Sequence, residues 1–296
     1  MEKGADVNVK DRIGRNAIHY LAAAKNATGL LSKLEGSKLD INAKDSTGRT
    51  PLAMAVENGR TENVEYLLNI GADVNGMDHA GNALILSAYE KNRPMLNLFI
   101  NRGAKLDVKK SDGKTLLLLG LENNDTSLVQ LLADKGINVN EQQANGKYPL
   151  EFAIEKKQTA NVKTLLDAKA DHTIKTSGGD PLLSLTIEKK NETVAGLLLQ
   201  KGADPNGKNR DGRNHLFHSL DENQPAIFKL LIDFNADINE KDANGIPLIF
   251  TAADKNRTLF LKYILNKNVD INATDSNSNT AVIVAAWKGF YEPVKM

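Results

Sequence analysis

His215 and His218 stand three residues apart, a spacing at which two imidazoles share one helical face and can ligate a metal ion. No third ligand is local and no acidic residue is spaced to complete the set. His215 also falls at the start of a helical pattern, so capping or packing is its expected role. Asp-x-x-Gly recurs at Asp11, Asp45, Asp78 and Asp242, with Asp275 in the same register. Alone this is a nucleotide-switch motif, but no glycine-rich phosphate loop accompanies it, and a turn accounts for it better. Cysteine is absent, which removes thiolate nucleophiles, disulfides and cysteine zinc sites. No nucleophile–base pair or carboxylate dyad is spaced for catalysis. The chain is therefore expected to be no enzyme and to carry no cofactor and no metal.

These residues belong to a longer order. Gly14, Gly48, Gly81, Gly113, Gly146, Gly179, Gly212 and Gly245 recur every 32 to 34 residues, with Ser278 next. Eight residues before each stands Asp6, Asp40, Asp73, Lys105, Asn138, Asp171, Asp204, Asp237 or Asp270. One structural unit copied along a line produces such a period, and its function lies on a stacked surface.

The second unit is the clearest. Asp45 and Gly48 suit the ends of a type I turn, the carboxylate bonding back to the turn amides. Thr50 can cap a helix that Pro51 begins, and Leu52, Ala55 and Val56 share a face. Asn58-Gly59 ends it. A second helix carries Val64, Leu67 and Leu68, and Gly71 closes it in the left-handed conformation. A small residue recurs in the inner helix (Ala55, Ala88, Gly120, Ala153, Ser219, Ala252, Ala285) and leucine pairs in the outer one (Leu131-Leu132, Leu165-Leu166, Leu197-Leu198, Leu230-Leu231). One such hairpin cannot bury its leucines alone; stacking does so.

Thr50-Pro51-Leu52, Asn16-Ala17-Ile18-His19, Gly4-Ala5-Asp6-Val7-Asn8, Gly71-Ala72-Asp73-Val74-Asn75 and Gly202-Ala203-Asp204-Pro205-Asn206 resemble the ankyrin repeat pattern D-x-x-G-x-T-P-L-H-x-A-A-x-x-G followed by G-A-D-V-N. The resemblance covers the chain in about nine copies. It implies an all-α solenoid of helix-turn-helix units with β-turn fingers, one domain over 1–296, and His19 bonded to neighbouring backbone. The fourth to sixth copies depart from the pattern, with Lys110, Gln143 and Thr176 for the turn aspartate, and are expected to open most readily. Lys38, Lys169, Asn235 and Asn268 stand where a left-handed glycine is expected. Both ends fall within a repeat, so a segment of a longer protein is expected.

Lys+Arg 38 against Asp+Glu 37 gives a net charge of +1, which is no footprint for nucleic acid or an anionic membrane. No signal peptide or membrane-spanning run is legible, so a soluble, monomeric, cytoplasmic protein is expected and Asn26-Ala27-Thr28 and Asn191-Glu192-Thr193 are chance matches to a glycosylation triplet.

The resemblance places the binding face on the concave groove and finger tips. There, Glu57, Glu90, Glu122, Glu155, Glu188, Asp221 and Asp254 form one acidic column. Lys10, Lys44, Lys109, Lys175, Lys208 and Lys241 form one basic column, and Arg15, Arg49, Lys114, Lys147 and Arg213 another. Ile13, Met77, Ile246 and Trp287 interrupt polar columns; tryptophan and arginine are frequent interface anchors. The expected function is binding of a partner protein or extended peptide. Its expected centre is Lys208, Arg210, Arg213, Asp221, Lys241, Ile246 and Asp254, with Lys10, Arg12 and Arg15 as a second patch and Met77 and Trp287 as apolar anchors. The alternative is a substrate-targeting or regulatory arm of a larger enzyme or effector.

Overall fold

Among the described residues, nine finger turns are each followed by a pair of short helices. The computed structural model describes residues 6–34 and 39–296; Gly4, Ala5 and Lys38, noted above, lie outside them. The inner helices are Ala17–Ala23, Pro51–Glu57, Leu84–Lys91, Leu116–Glu122, Pro149–Glu155, Leu182–Glu188, His215–Asp221, Leu248–Asp254 and Ala281–Trp287. The outer helices are Thr28–Leu31, Thr61–Asn69, Arg93–Asn101, Thr126–Asp134, Thr159–Asp167, Glu192–Gln200, Pro225–Asp233, Thr258–Leu265 and Tyr291–Lys295. Among the described residues there is no strand; fingers close on isolated antiparallel bridges such as Lys208 to Asn214 and Lys241 to Pro247. The fold is all-α, built of the helix-turn-helix units that the resemblance implies. Its contacts fall into two compact units, Met1–Leu119 and Gly120–Met296.

Helices of four to nine residues are too short to persist alone in water, so packing must hold them. In the first unit Pro51–Glu57 packs on Ala17–Ala23 and on Leu84–Lys91. In the second, Leu182–Glu188 packs between Pro149–Glu155 and His215–Asp221. The small column lets these helices approach: a Cβ at Gly120 would already lie 3.3 Å from the Leu128 side chain. Leu198-Leu199 and Leu231-Ile232 are buried, whereas Leu197 and Leu230 are half-buried. The apolar seam thus lies one residue beyond the doublets Leu197-Leu198 and Leu230-Leu231, because the helix presents its seventh and eighth positions to the neighbour. Phe228 and Phe260 extend it with an edge-to-face contact at 4.9 Å.

Each turn is fastened by its own side chains. The Asp45 carboxylate accepts from the amides of Thr47 and Arg49, and Gly48 N donates to Asp45 O at 2.9 Å. Thr50 caps the following helix by accepting from Ala53 N. In the fourth and fifth fingers the acceptor moves two residues on. Asp112 takes the Lys114 amide and Asn145 takes that of Lys147, at 3.0 Å each. Thr176 supplies a hydroxyl to the amide of Asp180. The glycine amide bond to residues 110, 143 and 176 survives in all three, so the departures from the pattern leave the turn intact.

Lys169 and Asn235 are left-handed, with φ of 64° and 67°. Asn268 is not among the left-handed residues. The outer helix before it ends at Leu265, and Lys267 N returns to Ile264 O, so the chain turns earlier. Lys157 and Lys190, between inner and outer helices, are also left-handed, at 56° and 55°.

Two outcomes follow from these local geometries. Lys169→Gly relieves side-chain crowding at positive φ against glycine's greater chain entropy, and should raise stability by up to about 1 kcal/mol in urea unfolding; a lower midpoint would refute the account. Burial pushes the Asp45 carboxyl up, but bonds from Thr47, Arg15 and the turn amides outweigh it and hold the group well below the usual carboxylate range. Its stabilisation is complete above the unfolded value of about 3.9 and is lost as pH falls below it. Asp45→Asn should cost about 2–3 kcal/mol at neutral pH and flatten the acid limb of the stability profile.

Candidate protein-binding surface

The fingers and the C-terminal ends of the inner helices carry most of the charged columns, and local pairing consumes much of that charge. Glu57 pairs with Arg49 and His79, Glu90 with Lys110, and Glu155 with Lys147. Glu188 pairs with Lys189, and Asp221 lies 3.2 Å from Arg213. Asp221 also meets Lys255, and Asp254 meets Lys288. Sequence reasoning missed these last two lysines. They follow the acidic column directly and stand 34 residues from their partners, a spacing that was readable. Exposed pairs of this kind contribute about 0–1 kcal/mol each, so they neutralise the surface more than they hold the fold.

The residues expected at the centre separate into groups. Lys208, Arg213 and Lys241 line one cleft of about 310 Å³ between the seventh and eighth fingers, with Phe217 and Glu240. Lys208 reaches Glu240 at 3.0 Å, and Asn214 also donates to Glu240. Lys241 borders a second cleft of about 510 Å³ with Ile238, Pro247 and Ile249. Asp221 joins the first cleft only through Arg213. Arg210 stands apart, its amide on Asp180 at 2.8 Å and its guanidinium between Asp180 and Asp211 at 3.9 Å. Asp254 is held by Lys288. Ile246 is half-buried and closes the eighth turn, its amide on Asp242.

In the first unit, Lys10 and Arg12 are exposed, whereas Arg15 donates to Asp45, whose side chain is fully buried. Arg15 therefore fastens the second finger to the first instead of facing solvent. Met77 is 60% exposed on the third finger, and Trp287 is 86% exposed at the end of the last inner helix. Among the described residues no cluster of three His, Cys, Asp or Glu groups could hold a metal, and no helix is long and apolar enough to cross a membrane.

A family model for ankyrin repeats (three copies) matches residues 1–78, 84–176 and 223–296. The chain belongs to the ankyrin repeat family. It is 30% identical over 116 residues to a transient receptor potential cation channel A1 homolog of Caenorhabditis elegans, covering 39% of this chain and 10% of that protein. It is 31% identical over 115 residues to the E3 ubiquitin-protein ligase hecd-1 of the same organism, covering 39% of this chain and 4% of the ligase. A match to delta-latroinsectotoxin-Lt1a of Latrodectus tredecimguttatus is 42% identical over 76 residues, 25% of this chain and 6% of the toxin. The chain thus spans a tenth or less of these relatives. Among solved structures, the Bcl-3 ankyrin repeat domain aligns with a TM-score of 0.55 at 20% identity, covering 84% of this chain and 99% of that one. The human ASB11 ankyrin repeat domain gives 0.50 at 20% identity, covering 75% and 99%. Both likenesses are of fold.

Two histidines occupy structural places in this ankyrin chain. His19 bonds Asn16 and the Arg49 carbonyl of the next finger. His215 is buried, with Nε2 2.9 Å from Ser184 Oγ, and its amide donates to Gly207 O at 3.2 Å. A Cβ at Gly207 would lie 2.8 Å from the His215 ring, so the imidazole sets the approach of the seventh finger, next to Lys208. Burial, then the charge of His218, lowers His215 from 6.5 to about 4. The neutral ring is the folded form at neutral pH. Below about 6.5 the unfolded chain takes up a proton that the folded one refuses, so stability falls with pH until about 4. The loss should be on the order of 2–3 kcal/mol, and His215→Gln should flatten it in denaturant midpoints between those pH values. An unchanged slope in the variant would remove His215 as the cause.

Proposed function

We propose that the chain binds a partner protein or extended peptide through its fingers and groove, centred on the seventh and eighth repeats. The observation that carries this reading is the cleft in which Lys208, Arg213 and Lys241 converge beside Phe217. Lys208 and Arg213 are each paired with an acid of the chain, and Lys241 has no ion-pair partner among the described residues. A partner carboxylate can therefore meet Lys241 directly and exchange with Glu240 and Asp221 at the others, which gives selectivity more than affinity. Ankyrin repeat domains generally mediate protein–protein interaction, which supports the same reading. On it the chain has no chemistry of its own, acts as a cytoplasmic monomer, and engages neither nucleic acid nor membrane; the balanced charge supports the last two points.

A second reading makes this chain the targeting or regulatory arm of a larger enzyme or effector. It draws on relatives that contain a similar segment as a small part of their length, one of them a ubiquitin-protein ligase by name.

Pull-down with the intact chain beside a Lys208→Ala, Arg213→Ala, Lys241→Ala variant tests the site. The variant should lose the captured partner while melting within a few degrees of the parent, since these are exposed side chains. Full retention of every partner would move the site elsewhere.

A further inference from the structure

The first three fingers present a different chemistry. Lys10, Lys44 and Met77 each stand directly before the turn aspartate of their finger. The three turns close identically: Asp11 N on Arg15 O, Asp45 N on Arg49 O and Asp78 N on Asn82 O, at 2.8–2.9 Å. The three side chains therefore occupy equivalent places, and all are exposed. The first two fingers touch, Ser46 N donating to Ile13 O at 2.8 Å.

The turn carboxylates of these fingers are occupied by bonds within and between the fingers. Asp11 accepts from the amides of Ile13 and Arg15 and from the Tyr20 hydroxyl. Asp45 holds Thr47, Arg15 and Arg49, and Asp78 holds Ala80, Asn82 and Ser87. Glu57, the nearest acid of the inner-helix column, is taken by Arg49 and His79. Lys10, Arg12 and Lys44 have no ion-pair partner among the described residues. The surface is thus three free cations on the first two fingers followed by an exposed thioether on the third, with Ile13 41% exposed beside them.

We infer that these fingers dock an extended acidic peptide segment of a partner, with two carboxylates and one apolar side chain spaced three residues apart. Stacked units repeat at about 8–10 Å, and a peptide in the extended polyproline II conformation advances about 3.1 Å per residue with about three residues per turn, so every third side chain lies on one face and meets a new finger. The carboxylates face Lys10 and Lys44, Arg12 strengthens the first, and the apolar residue covers Met77. A thioether adapts its shape to such a contact. This rests on reading the chain as a binding module but uses none of the residues of the seventh and eighth fingers.

Fluorescence anisotropy on the intact chain tests it, with labelled peptides of about twelve residues in a Ser/Gly background at about 50 mM salt. The probes carry Glu-x-x-Glu-x-x-Leu or its reverse. One of them should bind about fivefold or more tighter than Glu-x-Glu-x-Leu of the same composition, and weaken as salt rises. Lys44→Glu should weaken it about tenfold and Met77→Ser about fivefold, with unchanged melting. Lys44→Gln, which only removes charge, should fall between. The Lys208, Arg213, Lys241 triple variant should bind as the parent does, which separates this surface from the other cleft. Indifference to spacing, no effect of Lys44→Glu, or displacement by a single-stranded oligonucleotide of equal charge would each overturn the inference.

Discussion

Within each unit, a repeat leaves backbone groups that its neighbour must satisfy, and stacking depends on that debt. Inner helices of seven or eight residues end in free carbonyls that water meets only on one side. Asn63 closes the first, its amide on the carbonyls of Leu21, Ala22 and Ala24. Gln158 does so for Leu121 and Gln224 for Ile187. At the finger base the direction reverses. Asn42, Asn140, Asn206 and Asn239 accept the amides of Asp73, Asp171, Asp237 and Asp270 in the following repeat. Polar groups thus fix the register, while the leucine seam supplies most of the free energy at about 1.5–3 kcal/mol per fully buried side chain.

This division of labour explains what the sequence disclosed. Architecture was legible because steric demands repeat: a left-handed glycine at every turn but the ninth, where Ser278 stands, a small residue where helices meet, Pro51 and Thr50 where a helix begins. Such positions admit few residue types, so the period shows through. Register bonds were legible only in part. Asparagine in the G-A-D-V-N stretch is visible as a pattern, but nothing in the pattern says that it accepts an amide from the next repeat. Gln158 and Gln224 directly precede their outer helices, as does Arg60, whose guanidinium donates to Ala23 O; the residue types differ because any donor of suitable reach can cap a carbonyl. Such a column leaves no fixed letter to read.

The surface was the least legible part, for an electrostatic reason. A charged column read from sequence counts charges without their pairings. Arg15 was grouped with Lys10 and Arg12 by proximity in the chain, yet it is bound to Asp45 of the next finger. Asp221 and Asp254 belong to one column with five other acids, yet Lys255 and Lys288 reach back to them from the following repeats. Sign alone therefore overstates the groove's polarity. What distinguishes a position is whether its charge is free.

Free charge and finger architecture are connected. A turn that uses aspartate to hold its own amides occupies that carboxylate, so a finger with the full pattern shows its lysine unpaired. Where the aspartate is replaced, as at Lys110 and Gln143, the turn is held by Asp112 or Asn145; Gln143 stays buried on the Glu141 carbonyl, and only a longer charged side chain turns outward. Lys110 does so, pairing with Glu90 of the preceding repeat. Pattern-keeping repeats are thereby biased toward a basic tip and departing repeats toward internal pairing. The same substitution that weakens the ankyrin signature also quiets the surface, which places the exposed cations of the first unit on its two most regular fingers.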